Sequence, residues 1–165
     1  MNKKFMHHQS IKNVITGGPC VGKSSVIREL SSRGYFTVPE AARCVFEDMK
    51  SRMENDDMEI ARNNPNVQRK IMKRQYQNEE NALSGRPIFL DRGIGDNLVY
   101  MDRAGMDASF KHISNLIDRY DRVFLLEPLP YEKDDVRTEG ETEAREVHEM
   151  IRDVYTAFGY DVIDV

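Results

Sequence analysis

This sequence predicts an α/β fold in three layers, a five-stranded parallel sheet with helices on both faces. Five short β-branched or apolar runs alternate with stretches whose apolar residues recur at helical spacing, the pattern of parallel strands joined by right-handed crossover helices. A glycine-rich loop separates the first of these strands from the first helix. Acidic and basic residues follow several strands directly, and open parallel sheets bind their ligands beyond the strands' carboxyl ends.

Residues 11–16 (Ile-Lys-Asn-Val-Ile-Thr) read as the first strand. Residues 23–33 carry Val26, Ile27 and Leu30 on one helical face before a terminating Gly34. A second strand spans 35–38, and Pro39 permits a helix start at Glu40. Residues 41–53 place Val45, Phe46, Met49 and Met53 on an inner face. The polar stretch 55–66, with Pro65, reads as a loop or a broken helix, and 67–83 as a helix with Val67, Ile71, Met72 and Leu83 inward. After Gly85, residues 87–90 (Pro-Ile-Phe-Leu) form the third strand, running into Asp91-Arg92-Gly93. Helices are expected over 95–103 and 107–120, the latter with Phe110, Ile113, Leu116 and Ile117 inward. The continuous apolar run at 122–126 suits a buried parallel strand. A charged, irregular stretch from 128 to about 140 precedes a long helix over 141–158, and 160–165 is the last strand.

The loop itself is Gly17-Gly18-Pro19-Cys20-Val21-Gly22-Lys23-Ser24, of the form G-x-x-x-x-G-K-S, followed by Ser25. Its glycines let successive backbone N–H groups point at phosphate oxygens. Lys23 would reach the β- and γ-phosphates of a nucleoside triphosphate, and the Ser24 hydroxyl would coordinate Mg²⁺. An ordinary glycine turn before a helix is the plain alternative. The strand–loop–helix order around it favours the phosphate-binding loop, or P-loop. Nucleotide contacts are therefore expected along the whole run from Gly17 to Ser25.

At 165 residues, the length suits a single domain with one core, here expected over 11–165 with a flexible leader at 1–10. The leader has no apolar segment of the kind a signal peptide needs. A formal net charge of -4 argues against a general nucleic-acid or anionic-membrane surface. Two cysteines without metal-ligand spacing point to a reducing, cytoplasmic setting. The oligomeric state is not readable.

Several motifs support a resemblance. Thr-Gly-Gly-Pro-Cys-Val-Gly-Lys-Ser-Ser at 16–25, Val-Pro-Glu-Ala-Ala-Arg at 38–43, Phe-Leu-Asp-Arg-Gly at 89–93, Tyr-Asp-Arg-Val-Phe-Leu-Leu-Glu-Pro-Leu-Pro at 120–130 and Val-Arg-Thr-Glu at 136–139 resemble a family of small P-loop proteins labelled AAA-domain or kinase-like ATPases. The likeness runs from residue 11 to 165. Val-Pro-Glu followed by Arg43 is similar to the segment bearing the catalytic carboxylate of deoxynucleoside kinases. Asp91-Arg92 is similar to the Asp-Arg pair of thymidylate kinases and the Glu-Arg pair of deoxynucleoside kinases. The resemblance implies a nucleoside-kinase-like P-loop NTPase fold using ATP and Mg²⁺, with Arg43, Gln68 and Arg92 toward the substrate.

Phosphoryl transfer needs positioning and charge neutralisation more than covalent help. Glu40 is the candidate base for an acceptor hydroxyl, and Asp91 the candidate carboxylate holding Mg²⁺ through water. Arg92 would hold the acceptor or the moving phosphoryl group. Arg137 and Arg145, on a lid segment at about 128–146, would close over the triphosphate and stabilise charge on the transferring group. The resemblance also implies that Gln68 or Gln75 hydrogen-bonds an acceptor base.

Each residue has a plainer role available. Glu40 suits a helix dipole, Asp91 a cap, Arg92 a loop clamp, the glutamines an exposed helix surface, and Arg137 and Arg145 solvated ion pairs among many acids. The function expected is an ATP-binding phosphotransferase acting on an unidentified small-molecule hydroxyl or phosphate. The alternative is a P-loop NTPase or nucleotide-binding regulator working through a protein partner.

Overall fold

The computed structural model describes residues 10–50, 63–82, 85–107, 110–128 and 138–165. Its elements run β1 (Lys12–Thr16), α1 (Lys23–Ser32), β2 (Phe36–Val38), α2 (Ala41–Lys50), α3 (Pro65–Asn81), β3 (Ile88–Asp91), α4 (Ile94–Arg103), α5 (Phe110–Ser114), β4 (Arg122–Leu125), α6 (Thr138–Ala157) and β5 (Val162–Asp164). All five strands are parallel in the order β2-β3-β1-β4-β5. The expected α/β architecture is therefore what the chain adopts.

Alternation along the strands sorts the core into two faces. Val14 on β1 points with Leu90, Val123 and Leu125 to one side, where Leu98 and Val99 of α4 and Val147, Ile151 and Tyr155 of α6 cover them. Ile15 points the other way, joining Phe89 and Phe124 against Val26, Ile27 and Leu30 of α1. β1 is buried on both faces because it lies at the sheet's centre, which is why its sequence is not a simple apolar–polar alternation. A smaller cluster of Ala41, Val45, Val67 and Ile71 joins α2 to α3.

Two elements differ from the sequence reading. The helix expected over 107–120 is only α5, a single turn and a half; residues 115–118 form turns, and Ile117 is 55% exposed. Tyr160 explains the break: its hydroxyl accepts the N–H groups of Arg119 and Tyr120 and donates to the Leu116 carbonyl, drawing the chain out of helical register ahead of β4. At the other end, α6 begins at Thr138. The second half of the expected lid at about 128–146 is thus the amino-terminal part of a helix, while 129–137 lies outside the described residues. Among the described residues no helix is long and apolar enough to cross a membrane.

Candidate functional site

The glycine loop follows β1 at the sheet's centre, and its path is fixed by close packing. Gly17 has φ 134°, and a Cβ there would lie 2.7 Å from the Leu126 carbonyl oxygen beyond β4. A Cβ on Gly18 would lie 2.8 Å from the Ala144 carbonyl of α6. Neither approach is open to a residue with a side chain. His148, buried on the same face of α6, accepts the Gly18 N–H at Nδ1 (3.4 Å). The last helix of the chain therefore seats the first loop.

Lys23 opens α1 and is only 7% exposed. Its Nζ donates to the Gly17 carbonyl at 2.9 Å and to that of Gly18. Burial, reinforced by the Arg92 guanidinium, lowers its pKa from 10.5 to about 8, against the opposing pull of Asp96, Asp91 and Glu40. Phosphate oxygens brought beside Nζ favour the ammonium form. Binding of AMP-PNP should accordingly take up a proton between about pH 8 and 10.5, with affinity falling as pH rises through that window. Calorimetry in buffers of different ionisation heat measures the uptake; none in that window would mean that Lys23 does not meet the phosphates.

Asp91 ends β3 and is 5% exposed. Burial, then the neighbouring Glu40 charge, push its carboxyl up to about 6, with Arg92, Lys23 and Arg43 pulling the other way. Its Oδ1 has no hydrogen-bond partner. A buried carboxylate oxygen left unpaired beside a phosphate loop fits a magnesium site, for which the Ser24 hydroxyl would be the second protein ligand. Magnesium bound there would neutralise charge on the β- and γ-phosphates. Among the described residues no three His, Cys, Asp or Glu side chains gather to hold a metal on their own.

Arg92, next in the chain, joins the parts of the site. Its backbone is left-handed (φ 72°), costly for a residue with a side chain. The Arg92 N–H donates to the Ile15 carbonyl (3.0 Å), and its own carbonyl accepts from Gln75 Nε2 (3.3 Å). Held this way, the guanidinium donates from Nε to Glu40 Oε1 (2.9 Å) and from Nη1 to Asp96 Oδ1 (3.0 Å) and the Gly17 carbonyl (3.3 Å). It also lies over the Tyr100 ring at 5.4 Å. One side chain thus spans the segment after β2, the loop after β1 and the start of α4. Arg43, on α2, donates from Nη2 to Ser24 Oγ at 3.0 Å.

Beside the loop opens a cleft of about 920 Å³ whose lining includes Glu40, Arg43, Phe46, Gln68, Arg92, Asn97 and Tyr100. Lys23 and Ser24, Glu40 and Arg43, and Asp91 and Arg92, from three separate stretches of the sequence, gather at this place. Cys20 and Pro19 line its edge, the former exposed and left-handed (φ 61°). Gln68 and Gln75 are not surface helix residues: they are 4% and 1% exposed. Both line the cleft, and Gln75 there is committed to the Arg92 carbonyl (3.3 Å) and to Glu79 Oε1 (2.9 Å). Arg145 is exposed on α6 beside Ala144 and does not line the cleft. Arg137 lies outside the described residues. Glu127, which follows β4, accepts from Arg152 Nη2 (2.8 Å).

Two buried acids escaped the sequence reading. Asp96, fully buried, accepts from Thr16 Oγ1 (2.5 Å), the Gly93 N–H (3.0 Å), Arg92 (3.0 Å) and the Tyr155 hydroxyl (2.8 Å). Its place three residues after Gly93, where an acid meets the free N–H groups of a helix start, was the available signal. Glu79, also fully buried, accepts from Arg119 Nε (2.7 Å) and the Tyr120 hydroxyl (2.9 Å) as well as Gln75. No local pattern marks it, because its partners outside α3 lie 40 or more residues away, Lys12 (3.8 Å) among them.

A family model described as AAA domain matches residues 12–165. Among solved structures, one described as NadR protein in complex with NR is 19% identical with a TM-score of 0.69, covering 97% of this chain and 44% of that one. Another, NadR with NAD and AMP-PNP, is 19% identical with a TM-score of 0.68, covering 97% and 45%. The YorR protein of Bacillus subtilis in complex with phosphorylated GDP is 16% identical with a TM-score of 0.54, covering 93% and 84%. The chain thus spans less than half the length of the NadR chains. At these identities the likeness concerns the fold, a kinase-like P-loop NTPase fold. No curated protein matches the sequence.

Proposed function

Because the chain belongs to that AAA-domain family, we propose that it is a P-loop phosphotransferase moving the γ-phosphoryl group of ATP to a hydroxyl of a small, nucleoside-like acceptor. The observation that carries this reading is Glu40 held 2.9 Å from Arg92 at the cleft, with Arg92 also reaching the phosphate loop at Gly17. A hydrolase needs room for one water. A cleft of about 920 Å³ lined by Phe46, Tyr100 and carboxamides has room for a second organic substrate.

In this reading the loop amides and Lys23 cradle the triphosphate. Glu40 Oε2, the oxygen not bonded to Arg92, accepts the acceptor's proton as its hydroxyl attacks the γ-phosphorus. Arg92 fixes the Glu40 carboxylate and presents positive charge toward the equatorial oxygens as the bond to the β-phosphate breaks. Asp91 and Ser24 would hold magnesium. Arg137 and Arg145 remain candidates for the lid.

The test is ADP release in the presence of magnesium, with and without a panel of nucleosides and nucleotides. The ligands of the similar structures (NR, NAD and guanosine phosphates) are the first members to try. Turnover should depend on one acceptor and yield its phosphorylated form. ADP release at the same rate without any acceptor would replace this reading with that of an NTPase acting through a protein partner.

A further inference from the structure

The nucleotide and acceptor halves of the site meet at Arg43, and the following rests on the phosphotransfer reading above. Arg43 stands in the first turn of α2 with 56% of its side chain exposed. Its Nη2 donates to Ser24 Oγ at 3.0 Å and lies 4.0 Å from Glu40 Oε2. Ser24 Oγ is also the oxygen that a P-loop offers to magnesium. A hydroxyl oxygen has two lone pairs, but a guanidinium and a divalent cation cannot share it without strong repulsion at about 3–4 Å.

We infer that Arg43 and magnesium compete for Ser24 Oγ, so that binding of the metal–triphosphate complex displaces Arg43 into the acceptor cleft it already lines. Arg43 is then a positioning residue that couples the two substrates. It stands in for the metal cation at Ser24, and it becomes available to the acceptor only after the metal has taken that oxygen. Binding of the metal-bound triphosphate ahead of the acceptor follows from this exchange.

The sign of one effect separates this role from that of a clamp pinning α2 to the loop. Loss of a clamp weakens metal-dependent binding, whereas loss of a competitor strengthens it. The experiment is calorimetric titration of AMP-PNP at a series of magnesium concentrations, and in EDTA, for the parent chain, Arg43→Ala and Arg43→Met. Both variants should lower the half-saturating magnesium concentration about two- to tenfold, the scale of one neutral-acceptor hydrogen bond. Their affinity for AMP-PNP in EDTA should not exceed the parent's, because Arg43 supplies the positive charge at Ser24 when no metal is there. An unchanged or raised magnesium requirement in both folded variants overturns the inference while leaving the phosphotransfer reading intact. A folded parent chain that binds no AMP-PNP at all brings down both.

Discussion

Glu40→Gln is expected to lower kcat by about 10²–10⁴-fold, the range lost when a positioned general base is removed, while AMP-PNP binding stays close to that of the parent. The amide keeps the shape of the carboxylate, and its oxygen still accepts the Arg92 Nε–H that Glu40 Oε1 accepts at 2.9 Å. What is lost is the ability of the second oxygen to take a proton. Steady-state kinetics with the acceptor that supports turnover, paired with AMP-PNP calorimetry, reads the two consequences separately. A variant as active as the parent would remove Glu40 from the role of base. A variant that also lost AMP-PNP binding would mean that the Glu40–Arg92 pair holds the loop's shape rather than the chemistry. The charge change acts on Asp91 as well. Glu40 is the second largest cause, after burial, of the elevated Asp91 pKa near 6, so Glu40→Gln should also move the acid limb of magnesium-dependent AMP-PNP binding to lower pH.

Lys23→Ala is expected to cut turnover by about 10²–10³-fold, the cost of removing one preorganised charged donor from a transferring group, and to weaken AMP-PNP binding with it. The two effects arrive together because Lys23 would touch the triphosphate both before and during transfer, whereas Glu40 acts only on the acceptor. The fold should tolerate the change. Lys23 is buried with its pKa lowered to about 8 chiefly by desolvation, so the folded state gains little from its charge. Alanine is also a good residue for the first position of a helix. The thermal midpoint of Lys23→Ala should accordingly lie within a few degrees of the parent's. Full activity in this variant would sink the P-loop reading; a collapse in stability would instead make Lys23 a structural clamp on the Gly17 and Gly18 carbonyls.

Much of this site was legible from short-range pattern. The loop from Gly17 to Ser24 needs particular backbone conformations, and a glycine or its absence is visible in the sequence position by position. Glu40, Asp91 and Arg92 were found because a parallel sheet brings its strand ends to one side, so knowing the strands was enough to know that these residues converge. Gln75 and Glu79 were not legible. On a helix as polar as α3, a glutamine and a glutamate read as solvent-facing, and only packing against α4 and the segment before β4 buries them and brings Glu79 to Arg119 and Tyr120. The helix expected over 107–120 failed for a related reason: its apolar spacing was right, but Tyr160, some 40 residues later, captures the backbone groups that would have continued it.

By itself the sequence determined the alternation of strands and helices, the phosphate-binding loop and the set of charged residues at the strand ends. These depend on periodicity and backbone freedom within a few residues, which each segment carries alone. Only the tertiary structure decided which charges meet: Arg92 with Glu40 and Asp96, Arg43 with Ser24, His148 with Gly18. The energy of a charged or hydrogen-bonding group depends on how far it is removed from water and which partner reaches it there. Both are fixed when the helices close over the sheet, bringing together residues as far apart as 130 positions.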